Sequence, residues 1–193
     1  MNYVIVDLEA TCWETASKFQ RNEIIEIGAV LLEGVSLRSI SEFQQFIHPK
    51  DNPELSQFCM TLTSIRQKDV DSAPFFPEAF NLFINWIGKT PFKLCSWGKF
   101  DFDLFNYECQ RSVISWPPNF VSHVNLKEPF SRAHRTKKSI GLKDAMKLMK
   151  LQFIGTKHRG IDDARNITRV ARHVIALDNT RKHLQKDMDK DDK

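Results

Sequence analysis

The sequence contains no apolar run approaching the roughly 18 residues that a membrane-spanning helix needs, so no spanning segment is expected. Its first residues lack the order of features of a secretory signal. Met1-Asn2-Tyr3 leads straight into a short apolar stretch that ends in acids. Cysteine is scarce. Cys12, Cys59, Cys95 and Cys109 form no CxxC pair, which argues against a zinc site. With no export signal, the thiols are expected to be reduced and the protein cytoplasmic. There is no internal repeat and no Gly/Ser- or Pro-rich linker that would join two domains. Charge of one sign is also limited. A formal net charge of +4 is compatible with an anionic partner and too small to require one.

What is present suits one domain. The 193 residues can bury one sizeable core, and an apolar fraction of 41% is ordinary for a globular chain. Tyr3-Val4-Ile5-Val6 reads as a buried central strand, Ile24 to Leu32 as a second and Ser39 to Ile47 as a third. The short gap at Glu33-Gly34-Val35 predicts a hairpin between the last two. A helix is predicted from Ala73-Pro74 to Trp86-Ile87, where Phe76, Ala79, Phe80 and Phe83 recur at helical spacing and Gly88 ends it. Then come a strand (Phe92 to Trp97), a helix (Phe100 to Arg111) and a short strand (Phe120 to Val124). Next is a helix capped by Ser139, with Leu142, Ala145, Met146 and Met149 in one stripe. The last helix starts at Asp162, with Ala164, Ile167, Ala171 and Val174 facing inward. A strand meander followed by alternating strands and helices predicts an α/β fold with a mixed sheet. The body is expected to span 1–177, followed by a charged, frayed or disordered tail at 178–193 that cannot cover a core.

Three segments carry groups suited to chemistry. In Asp7-Leu8-Glu9 the two acids lie two apart, so in a strand both carboxylates project to one side. At the end of a buried strand they would sit at the carboxyl edge of the sheet, where ligands of open α/β sheets bind. Taken alone, they could equally be two solvated acids. In Trp97-Gly98-Lys99-Phe100-Asp101 a strand gives way to a helix, and Asp101 is either a first-turn acid or a ligand at the same edge. In His158-Arg159-Gly160-Ile161-Asp162-Asp163 a loop histidine precedes two acids in the first turn of a helix. If Asp162 caps the helix, Asp163 is free to face the sheet.

Together, these segments resemble the DEDDh exonucleases. The stretches Asp7 to Glu14, Asn22 to Val30, Phe58 to Ile65 and His158 to Asn166 resemble the Eri-type exoribonuclease subgroup, which includes the KapD-like proteins. The resemblance covers about residues 1–177. It implies a ribonuclease H-like fold, here with a mixed five-stranded sheet flanked by helices. It implies Asp7, Glu9, Asp101 and Asp163 as ligands of two divalent cations, Mg²⁺ or Mn²⁺, and His158 as general base. It implies that Ala10 and Thr11 meet the terminal nucleotide through their backbone, and that Leu62, Thr63, Ser64 and Ile65 pack against its sugar and base. Ser64 stands where the subgroup usually has Gly, and Phe100 where it often has Trp. The resemblance begins at the first residues, so no attached RNA-binding module is expected ahead of it.

The chemistry is consistent with these residue types. Phosphodiester hydrolysis builds negative charge on an anion, and two cations about 4 Å apart can clamp the attacking and leaving oxygens. Hard cations take oxygen ligands, and a histidine titrating near neutrality can accept the proton of the attacking water. The expected partner is the 3′ end of single-stranded RNA or another nucleic acid, with no obligate protein partner. Arg132, Arg135, Lys137, Lys138, Lys143, Lys157 and Arg159 are candidates for phosphate contacts, or a solvated face. Trp13 could stack on a base or belong to the core, and Glu26 could orient a site residue or face solvent. The alternatives are a DNA-directed exonuclease of the same fold, a phosphatase acting on mononucleotides, and a binding module without catalysis. The last would be marked by loss of an acid or of the histidine, yet all five positions are filled.

Overall fold

The computed structural model describes residues 1–15, 20–136 and 138–191, with 178, 179 and 181–191 described as backbone only. Lys137 lies outside the described residues. The elements are β1 (Asn2–Ala10), β2 (Ile24–Leu32), β3 (Ser39–Phe46), α1 (Gln57–Thr63), α2 (Gln67–Asp71), α3 (Phe76–Ile87), β4 (Phe92–Ser96), α4 (Phe100–Arg111), β5 (Phe120–Asn125), α5 (Lys127–His134), α6 (Leu142–Leu148) and α7 (Gly160–Asp191). Among the described residues, no helix is long and apolar enough to cross a membrane.

The five strands form one mixed sheet in the order β3-β2-β1-β4-β5. β1–β2 and β2–β3 pair antiparallel, so the predicted hairpin is present, while β1–β4 and β4–β5 are parallel. Period-2 alternation divides β1 between two cores. Val4, Val6 and Leu8 face α3 and α4, with Phe80, Phe83 and Phe105. Tyr3 and Ile5 face α7, with Ile167 and Ala171. Asp7 and Glu9 continue this second row. The strand runs through both acids to Ala10, so their carboxylates project to one side as the alternation predicted.

α7 lies unusually close to the sheet. A Cβ on Gly28 would fall 1.9 Å from the backbone carbon of Gly160, and one on Gly160 would fall 3.0 Å from the Asp7 carbonyl oxygen. Two side-chain-free positions therefore let the first turn of α7 rest directly on β1 and β2.

Several boundaries differ from the sequence reading. α6 is capped at Gly141 with no side-chain hydrogen bond, so Ser139 is not its cap. α7 begins at Gly160 rather than Asp162 and continues to Asp191, through the segment expected to be a frayed tail. α1, α2 and α5 were not anticipated. α5 has Pro129 within its first turn, where a missing N–H costs nothing, and buries Phe130 completely.

Candidate active site

β1 supplies Asp7 and Glu9 on its α7 face, and the first turn of α7 brings Asp163 to meet them. One carboxylate oxygen from each lies within 4.8 Å of the others. Asp162 and Asp163 divide their work. Asp162 accepts the Thr156 N–H at 2.9 Å and pairs with Arg165 at 2.8 Å, which leaves Asp163 turned toward the sheet.

Asp101 arrives from the first turn of α4. Parallel pairing of β1 with β4 stops at Ile5–Cys95, so farther along β1 the Leu8 N–H has no strand partner on that side. The Asp101 carboxylate accepts it at 3.0 Å. Asp101 therefore abuts the cluster from the β4 side without joining the 4.8 Å triad.

These acids raise one another's affinity for protons. Asp7 is held well above the ordinary carboxyl range, first by burial and then by the charges of Asp101, Asp163 and Glu9. Burial and the charge of Asp163 push Glu9 up to about 8. Burial lifts Asp101 to about 6, although the Leu8 hydrogen bond and Lys127 oppose the shift. Burial also raises Asp163, opposed by the N–H groups of His158 and Arg159. Repulsion among desolvated carboxylates has this signature, and a group of hard oxygen donors short of positive charge suits divalent cations.

His158 is exposed at a positive φ of 58°, in the loop before α7. Its backbone N–H donates to the Asp163 carboxylate at 2.7 Å, and both residues line one cavity. The next two residues are anchored by Glu26, which is fully buried. Glu26 lies directly across the ladder from Glu9. It accepts the Gly160 N–H and an Arg159 guanidinium N–H at 3.1 Å each, and the Gln44 amide at 2.7 Å. Sequence alone left the direction of Glu26 open. Its role is to clamp the histidine loop to β2. Lys127, which sits beside Asp101, was missed because α5 itself was missed.

Comparison with known proteins agrees with this geometry. The family model described as exonuclease (RNase T) matches residues 4–171. The chain belongs to this exonuclease family. It is 33% identical to 3′-5′ exoribonuclease 1 of Homo sapiens over 89% of this chain and 51% of that protein. It is 31% identical to ERI1 exoribonuclease 2 of Homo sapiens over 89% of this chain and 28% of that protein. The chain thus spans about half the length of these relatives, or less. Among solved structures, the nuclease domain of 3′hExo, a DEDDh family member bound to rAMP, superposes with a TM-score of 0.82 at 32% identity, covering 92% of each chain. The fold of this exonuclease chain is therefore the ribonuclease H-like fold that its motifs implied.

The residues expected to hold the nucleotide separate into two groups. Leu62 (37% exposed) lies one helical turn from Phe58 (40% exposed), so α1 presents an apolar face to solvent. α1 is held beside the end of β1, where Cys59 Sγ contacts the Ala10 carbonyl at 3.6 Å and Ser56 Oγ donates to the Cys12 carbonyl at 2.6 Å. Phe100 is also open to solvent, 57% exposed at the start of α4. The side chains of Thr11, Thr63 and Ile65 point inward, which leaves their backbone as the part of those segments that a nucleotide could meet. Ile65 is fully buried in the core under β2. The Thr63 hydroxyl donates to the Cys59 carbonyl, and Thr11 Oγ1 accepts the Glu23 N–H at 2.9 Å. Trp13 is half-buried beyond β1, and Ala10 is partly exposed at the strand's end. Ser64 has a physical explanation. It is the C-cap of α1 at φ 59°, ψ 14°, the left-handed conformation that glycine adopts without strain.

Proposed function

We propose that this chain is a 3′-5′ exoribonuclease domain that removes nucleotides one at a time from single-stranded RNA or short 3′ overhangs, releasing 5′-monophosphates. The observation that carries the reading is the convergence of Asp7, Glu9 and Asp163 within 4.8 Å, with Asp101 bonded to the same strand. The relatives, an exoribonuclease and a 3′-5′ exoribonuclease, support the direction of cleavage and the choice of RNA.

The four carboxylates would hold divalent cations, two in this reading and either Mg²⁺ or Mn²⁺. When bound, these would stabilise charge on the phosphate and acidify a water. His158 accepts the proton of the attacking water, and its exposed loop lets it approach the substrate. Glu26 and Arg159 hold the base of that loop, so the imidazole moves about a fixed anchor. Phe58 and Leu62 offer the apolar face against which the terminal nucleoside packs. The free thiols at all four cysteines fit a reducing compartment, and this reading assigns the cytoplasm.

The test compares 5′-labelled single-stranded RNA and DNA of equal sequence with Mg²⁺, Mn²⁺ or EDTA. A ladder that shortens from the 3′ end only with metal, and faster on RNA, is the expected result. Cleavage of a circular RNA would overturn exonucleolytic action, and faster loss of DNA would overturn the assignment to RNA.

A further inference from the structure

Beside Asp163 and His158 the surface sinks into a cavity of about 710 Å³ that runs along α6. Lys143 and Lys147 stand one helical turn apart on α6, Lys150 follows the end of the helix, and Lys157 immediately precedes His158. All four are exposed, and among the described residues none has an ion pair or hydrogen bond through its side chain. Between them, Leu142, Met146 and Phe153 form an apolar floor, backed by the completely buried Phe130.

A solvated helix face would account for lysines alone. It would not account for four partnerless cations around an apolar concavity that ends at the cleavage site. The arrangement fits a ligand with phosphates along one edge and flat apolar faces beside them. A single-stranded polynucleotide has both, and each can be satisfied independently of base identity. A duplex turns its base faces inward, so it would use the lysines and leave the floor bare. Continuity with Asp163 and His158 determines which nucleotides enter. With the terminal nucleoside packed on α1, as in the reading above, the α6 groove that reaches His158 and Asp163 is the path left for the rest of the strand.

We propose that this lysine-lined groove holds the RNA on the 5′ side of the bond that is cut, and that it makes cleavage depend on substrate length. This rests on the exonuclease reading above, and the test separates the two. Three proteins are compared: the parent, Lys147→Gln/Lys150→Gln, and a control with the same loss of charge, Arg38→Gln/Lys89→Gln. Arg38 and Lys89 are exposed at the opposite edge of the sheet, after β2 and before β4. KM is measured for a single-stranded RNA decamer and for a dinucleotide, over a range of salt.

In the parent the decamer should bind more tightly than the dinucleotide. That advantage should shrink about tenfold in Lys147→Gln/Lys150→Gln and stay unchanged in the control. Losing two phosphate contacts at about 0.7 each for single strands should reduce the slope of log KM against log salt by about 1.4. Behaviour identical to the control would overturn the proposal, as would equal losses on the dinucleotide and the decamer. An equal loss of affinity for a blunt duplex of the same sequence would overturn the single-strand assignment. If the parent cleaves no RNA, the exonuclease reading fails. Anisotropy of the labelled decamer with the same three proteins then still decides the groove, because equal dissociation constants would refute it.

Discussion

Crowding of acids at one edge of the sheet predicts a specific pH dependence of stability without metal. Glu9 moves from its ordinary value of 4.5 to about 8 in the folded protein. The folded state therefore keeps a proton that the unfolded chain has lost, and stability falls as pH rises through 4.5 to 8. The upper part of this window is the cleanest to measure. His123 and His134, both lowered by burial, are still partly protonated in the unfolded chain near pH 6.5, so they oppose the fall only at the bottom of the window and are neutral in both states above it. Asp101, at about 6, has mostly ionised. From pH 6.5 to 8, Glu9 alone accounts for about 2 kcal/mol, at roughly 1.4 kcal/mol per pH unit. For a domain of this size that is a fall in Tm of about 4–8 °C. Glu108, raised to about 7 by burial at a separate site, adds a smaller fall near the bottom of the window that metal does not touch. Divalent cations bind the ionised carboxylates of the folded state, so their stabilisation should increase with pH. The assay is thermal unfolding in EDTA and in saturating Mg²⁺ between pH 6.5 and 8.5, for the parent and Glu9→Gln. The expected outcome is a falling Tm for the parent in EDTA, a flatter profile for Glu9→Gln, and a larger Mg²⁺ gain at pH 8.5 than at 6.5. Superimposable profiles for the two proteins in EDTA would refute the argument, because the acids would then not share one desolvated site.

His158→Ala should lower kcat by on the order of 10²–10⁴-fold, while a gel shift with metal present shows nearly unchanged RNA affinity. A matched collapse in affinity would make His158 a binding residue. Ser64→Gly should raise stability by about 0.5–1 kcal/mol, since it relieves a left-handed residue at φ 59° at some cost in chain entropy. Denaturant unfolding would detect this as a higher midpoint at unchanged m. Glu26→Gln should cost about 2 kcal/mol, less than the 3–5 of a fully buried pair, because Arg159 can turn to solvent. Its kcat should fall while the Mg²⁺-dependent rise in Tm persists. A loss of that rise would place Glu26 among the metal-holding groups.

The five strands along the chain, the two long amphipathic helices and the acidic motifs were legible from local pattern. Alternation in Asp7-Leu8-Glu9 is a property of any strand, and the spacing of Phe76, Ala79, Phe80 and Phe83 belongs to any helix that buries one face. The same local reading missed α1, α2 and α5, which are short and take their stability from the surfaces they cover rather than from propensity. The resemblance gave Thr11, Thr63 and Ile65 to the nucleotide-binding segments without saying that their side chains turn inward. A motif records which residues recur together and not which way each side chain turns.

The sequence by itself therefore determined the chemistry available to this protein: four carboxylates and a histidine on elements that end at one edge of a sheet. Tertiary structure alone decided how they meet. Gly28 and Gly160, unremarkable in the sequence, allow the backbone contact that seats Asp163 against Asp7 and Glu9. The early end of β1–β4 pairing exposes the N–H that fixes Asp101. The direction of Glu26, which alternation left open, is set by Arg159 and Gly160, 133 and 134 residues later in the chain. Each of these depends on contacts between distant segments, and burial then turns ordinary acids into a site whose excess negative charge calls for cations.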